Sequence, residues 1–125
     1  MKVVACYIRV SELGPSQAKQ RRAINQWLKD SRIPAKSVRW YIDKVVSDDL
    51  DQPKLEELQA DIADGEVSAV VVWRLDRLAP SVRDGLQDLC DWCDQSLRVV
   101  SVSQDIDIRG AMAKRIGAVL SAVAE

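Results

Sequence analysis

Apolar positions along this chain switch between two periods, and the switches predict its elements. Val3-Val4-Ala5-Cys6-Tyr7-Ile8-Arg9-Val10 is a β-branched run, so residues 2 to 10 read as a first strand. Gly14-Pro15 marks a turn, and Ser16 offers a cap. Ile24, Trp27 and Leu28 then recur at helical spacing opposite Lys19, Arg22 and Lys29. Arg32-Ile33-Pro34 ends that helix. Val38 to Ile42 reads as a second strand, and Asp43 to Gln52 as an acidic loop. The next helix takes Asp51 as its cap and Pro53 in its first turn, buries Leu55, Leu58 and Ile62, and stops at Gly65. Ala69 to Trp73 is apolar without interruption, as a strand covered on both faces would be. After Pro80, Val82, Leu86, Leu89, Cys90 and Cys93 share one helical side, and Leu97 to Val102 reads as a fourth strand.

This βαβαβαβ order predicts an α/β fold of three layers: a mainly parallel sheet of four or five strands with flanking helices. Sites in such open sheets gather at the carboxyl ends of the strands, where Ser11, Asp43 and Asp76 all stand. The last segment, Gly110 to Glu125, is of another kind. Met112, Ile116, Val119, Leu120 and Val123 form a stripe, and Ser121 is the only polar residue from Gly117 to Ala124. A helix apolar nearly all round is expected to pack against a second chain.

Composition narrows the function classes. A chain of 125 residues fits one domain, and 47% hydrophobic with 30% charged residues is the balance of an ordinary globule. No apolar run is long enough to span a bilayer, and Met1-Lys2 leads into a strand rather than a signal peptide, so a cytoplasmic protein without membrane contact is expected. Cys90-Asp91-Trp92-Cys93 has C-x-x-C spacing but falls inside a helical pattern, so its thiols are expected to be buried rather than redox-active. The absence of histidine removes His-based acid–base chemistry and most zinc and iron sites. The net charge of −1 hides an uneven distribution. Residues 1 to 40 carry nine Lys/Arg against two Asp/Glu, and residues 41 to 70 carry two against nine, so a local basic surface can exist within a neutral protein.

Arg9 and Tyr7 share the side of the first strand on which Ser11 follows, because strand side chains alternate. A serine attacking phosphorus needs positive charge on the non-bridging oxygens, which Arg supplies with planar, permanent, bidentate geometry. It also needs a group to manage protons, and Asp76 beside Arg77 is the nearest candidate in a chain without His. The same spacing suits a plain strand-end ion pair between Arg9 and Asp76 equally well.

Tyr7-Ile8-Arg9-Val10-Ser11, Gln20 and Arg22, Trp73-Arg74-Leu75-Asp76-Arg77-Leu78, and Leu120-Ser121-Ala122-Val123-Ala124 together resemble the N-terminal catalytic domain of the serine recombinases, the resolvases and invertases. The match runs along essentially the whole chain. The resemblance implies a resolvase-like domain over 1–109 with flavodoxin-like strand order, the start of a long dimerisation helix over 110–125, and no DNA-binding domain within these residues. It implies a homodimer or tetramer acting on DNA without metal or other cofactor. Ser11 would attack a phosphodiester, form a phosphoserine link and release a 3′ hydroxyl. Arg9 and Arg77 would brace the phosphate, Asp76 would orient them or donate a proton, and Tyr7 and Gln20 would support.

Two positions depart from the family pattern. Gln52 stands where an arginine usually precedes the proline, and Pro80 stands where a second arginine usually follows L-D-R-L. Losing one preorganised charge donor costs on the order of a hundredfold in rate, so these changes point to weak activity or to a degenerate domain that dimerises without cutting DNA. A receiver-type phosphoacceptor domain would share the fold but needs paired acidic residues after the first strand, which this chain lacks.

Overall fold

β1 (Val3–Val10) has a strand on each side, which is why its central residues Ala5 to Ile8 are all buried. The computed structural model describes residues 2–11, 15–44, 52–75 and 82–109, together with Met112 and Arg115. The remaining elements are α1 (Gln17–Asp30), β2 (Val38–Lys44), α2 (Pro53–Ala63), β3 (Val67–Val72), α3 (Val82–Asp94), β4 (Arg98–Ser101) and β5 (Ile106–Ile108). The sheet order is β2-β1-β3-β4-β5, parallel except for β5, which returns antiparallel to β4.

Three layers follow from the two sheet faces. Cys6 and Ile8 of β1 pack with Val71, Val100 and the α1 residues Ile24 and Leu28. Tyr7, Val70 and Val72 face the other way, against Leu55, Leu58 and Ile62 of α2 and Leu89, Trp92 and Cys93 of α3. β3 feeds both cores, so its uninterrupted apolar run is explained by cover on both sides. All three cysteines are free and buried, and burial pushes Cys6 up to about 12 and Cys93 up to about 11, the behaviour of packing thiols rather than nucleophiles. Gly65 ends α2 in a left-handed conformation at φ 76°. Among the described residues no helix is long and apolar enough to cross a membrane.

Some boundaries differ from the sequence reading. β2 continues to Lys44 because Arg9 and Val10 of β1 are still paired to Asp43 and Lys44. β3 runs from Val67 to Val72 rather than from Ala69 to Trp73, and β4 spans only Arg98–Ser101 because a 3-10 turn, Val102–Gln104, follows it. The fifth strand, three residues long, is too brief for periodicity to announce. The cap position of α2 is Gln52, not Asp51, and its side chain makes no capping bond. The segment 110–125 lies outside the described residues except for Met112 and Arg115, which are helical and exposed.

Candidate active site

Ser11 follows β1 directly, half-buried, at the carboxyl end of the parallel sheet. The turn that begins there is held at both ends by one side chain. Gln20, in the second turn of α1 and 2% exposed, donates its amide nitrogen to the carbonyl of Arg9 at 3.0 Å and to that of Pro15 at 3.1 Å. Ser16 caps α1 by accepting the Lys19 amide at 3.1 Å, which fixes the direction in which the helix leaves the turn. Gln20 therefore clamps the loop over Ser11 from the inside.

Arg9 pairs with Asp43 across the β1–β2 ladder. Its Nε is buried and has no hydrogen-bond partner among the described residues. A buried guanidinium N–H left without an acceptor costs stability, and an anion supplied from outside would satisfy it.

Two residues before Arg9, the buried Tyr7 hydroxyl donates to Asp43 Oδ2 at 2.8 Å and accepts from Gln52 Nε2 at 2.8 Å. Asp43, 3% exposed, also accepts the Lys54 amide at 2.9 Å through Oδ1 and the Leu55 amide at 3.0 Å through Oδ2. A carboxylate from the neighbouring strand thus supplies the cap that Gln52 does not, aided by the positive end of the helix dipole. Burial is the main reason that the Tyr7 phenol is held well above its ordinary range; Gln52 opposes the shift and Asp43 reinforces it. Tyr7 is therefore a neutral relay between Gln52 and Asp43.

Cations gather at the adjoining end of β3. The Lys19 ammonium lies 5.7 Å and the Arg74 guanidinium 5.9 Å from the centroid of the Trp73 ring. Beyond that ring, Leu75 is the last described residue before Asp76, Arg77 and Pro80, all three of which lie outside the described residues.

Of the residues singled out from the sequence, the fold thus brings Ser11, Arg9, Tyr7, Gln20 and Gln52 to one end of the sheet. Sequence reading noticed Asp43 only as an acid at a strand end. The available signal for its capping role was Pro53 opening a helix with a glutamine, a poor cap, immediately before it.

The described acidic cluster Asp61, Asp64 and Glu66 lies elsewhere, at the end of α2. Arg39 sits against two of its members, 3.2 Å from Asp61 and 3.6 Å from Glu66.

Comparison with known proteins agrees with this geometry. The family model for the resolvase N-terminal domain matches residues 4–125. The N-terminal catalytic domain of TP901-1 integrase superposes with a TM-score of 0.74 at 30% identity, over 98% of this chain and 93% of that one. A resolvase family site-specific recombinase from Streptococcus pneumoniae, at 24% identity, shares the fold with a TM-score of 0.68 over 99% of this chain and 86% of its own. The sequence match along nearly the whole chain, the shared sheet and the serine at the end of β1 agree, and the chain belongs to the resolvase N-terminal domain family.

Proposed function

We propose that this domain is the catalytic part of a site-specific DNA recombinase in which Ser11 cuts and rejoins DNA through a 5′-phosphoserine intermediate. The observation that carries the reading is the clamped turn: Gln20 fixes both ends of the segment holding Ser11, and two residues back Arg9 keeps a buried Nε without an acceptor. In the cleavage step Ser11 Oγ bonds to phosphorus as the bond from phosphorus to the 3′ oxygen breaks. The serine proton ends on the released 3′ hydroxyl, with Asp76 managing the transfer. Arg9 and Arg77 stabilise charge on the non-bridging oxygens, where positioning and electrostatics supply most of the acceleration. The phosphoserine ester conserves the bond needed for rejoining after strand exchange. The helix from Gly110 to Glu125 would join two copies, so that paired strands are cut together.

A second reading is favoured by Gln52, a neutral amide already donating to Tyr7 where the family places a cation. It makes the domain a degenerate member that assembles without cutting. The two readings separate by trapping. The longest natural form of the chain is incubated with a nicked suicide substrate, whose cleaved fragment diffuses away. A covalent protein–DNA adduct that disappears in Ser11→Ala is the expected result. No adduct with wild type, together with one in the Gln52→Arg, Pro80→Arg double variant, would establish the degenerate reading.

A further inference from the structure

We propose that Gln104, in the turn between β4 and β5, is a positioning residue that sets the loop carrying Asp76 and Arg77; the proposal rests on the DNA-cleaving reading above. Gln104 lies far along the chain from that loop, yet its Oε1 accepts the Leu75 amide at 3.0 Å, immediately before Asp76. One residue earlier in the same turn, the Ser103 amide donates to the Trp73 carbonyl at 2.9 Å. The exit from β3 is therefore tied twice to the β4–β5 turn.

Leu75 is restrained in other ways as well. Its side chain packs, partly buried, on the core shared with α2 and α3. On the α3 side, a Cβ added at Gly85 would meet the Leu75 carbonyl oxygen at 3.4 Å, so helix and loop run in van der Waals contact there. The residue preceding Asp76 is held at its amide, its side chain and its carbonyl.

The anchor is itself rigid. Ser101 Oγ donates to the same Gln104 oxygen at 2.6 Å, closing the turn on itself. Asp105 takes a left-handed conformation at φ 56°, which sends the chain back as β5. Arg98 then grips Asp107 with two bonds, Nε at 2.9 Å and Nη2 at 2.8 Å, fastening β5 to β4. β5 contributes only three residues of sheet, so its evident use is to hold this turn in place.

The chemistry of the contact makes a sharp distinction. A backbone N–H only donates, so the amide oxygen of Gln104 must face Leu75, and that oxygen alone receives both donors. Glutamate offers the same acceptor at the same reach. Methionine fills the same space and offers a poor one. Gln104 touches no reacting atom in this scheme; it acts through Leu75 on where Asp76 and Arg77 stand, and displacements near 1 Å in such groups cost about a hundredfold in rate.

The test compares Gln104→Met and Gln104→Glu with wild type by two readouts, amide hydrogen exchange at Leu75 and the rate of the suicide-substrate adduct. In Gln104→Met, Leu75 is expected to exchange about tenfold faster while Val70 to Val72 stay protected. Adduct formation is expected to fall about tenfold or more, with non-covalent DNA affinity unchanged. Gln104→Glu should retain most of both. Unchanged Leu75 exchange in Gln104→Met overturns the anchor. Faster exchange with an undiminished adduct overturns the link to catalysis, as does a Gln104→Glu variant that fails as fully as the methionine. If wild type itself forms no adduct, the cleavage reading and the catalytic link fall together, and Leu75 exchange still decides the anchor.

Discussion

Tyr7 and Asp43 are joined by a 2.8 Å hydrogen bond between adjacent strands, and the same carboxylate receives the first amides of α2. One buried acid thus ties the strand that leads to Ser11 to the helix that Gln52 opens. Replacing Asp43 by Ala would strip three buried or part-buried donors of their acceptor at once. The expected loss is about 3 kcal/mol, combining a cap with unsatisfied buried donors. Asp43→Asn keeps one acceptor oxygen and should lose about half as much. Urea denaturation with an unchanged m-value would show it; a loss within 0.5 kcal/mol of zero, about the scale of a neutral surface change, would contradict the network.

The two tyrosines should be silent in an ordinary alkaline titration. Burial, then the hydrogen bond to Asp61, pushes Tyr41 up to about 12 from 10.0, and burial holds Tyr7 higher still. Both folded values exceed the unfolded ones, so their contribution to stability is fully present below pH 10 and is lost as the pH climbs from there toward and beyond 12. Phenolate absorbance should therefore appear together with loss of circular dichroism. A tyrosine that ionises near pH 10 in the folded protein would refute this.

Gln20 offers a contrast between isosteres. Its nitrogen is the donor to two carbonyls, so Gln20→Glu brings a carboxylate against both oxygens, whereas Gln20→Leu merely leaves them unpaired. Both should lower adduct formation by about tenfold or more, because the turn at Ser11 is no longer held. Glutamate should be the more destabilising at pH 7, and its deficit should shrink at pH 4 as the carboxyl regains a proton. Equal stability of the two variants at both pH values would argue against the clamp.

The parts of this fold readable from sequence are those set by local pattern. Ile24 and Leu28 at helical spacing, and the apolar run through Val72, identify their elements because the buried side of each repeats within the segment. The Tyr7-to-Ser11 and Trp73-to-Leu78 strings identify the family for a similar reason: their spacing is local. What stayed hidden depends on partners distant in sequence. Asp43 and Gln104 act on residues 11 and 29 positions away respectively, and no periodicity reports such a pair. β5 was missed because Ile106-Asp107-Ile108 offers one cycle of alternation, which carries no more signal than a turn.

Asp88 is poised to make stability depend on pH near neutrality. It lies half-buried on α3, accepts Gln59 Nε2 at 3.1 Å, and is pushed up to about 6 from 3.8, first by burial and then by Asp91 and Asp84. Gln59 in turn accepts the indole N–H of the buried Trp92 at 2.8 Å, so this contact joins α2 to α3. A raised folded value means that its favourable contribution is complete below 3.8 and is lost as the pH rises through about 6. At pH 7 the ionised carboxylate is a burden. Asp88→Asn keeps the oxygen that accepts from Gln59 and removes the charge, so it should stabilise the domain at pH 7 by on the order of 1 kcal/mol, allowing for solvent screening of a partly exposed group. The gain should fade as the pH is lowered through 6, since wild type then carries a neutral acid in the same place. Melting curves of both proteins from pH 4.5 to 8 would show the two midpoints converging at the acid end; a constant gap, or a gap that widens on acidification, would reverse the assignment.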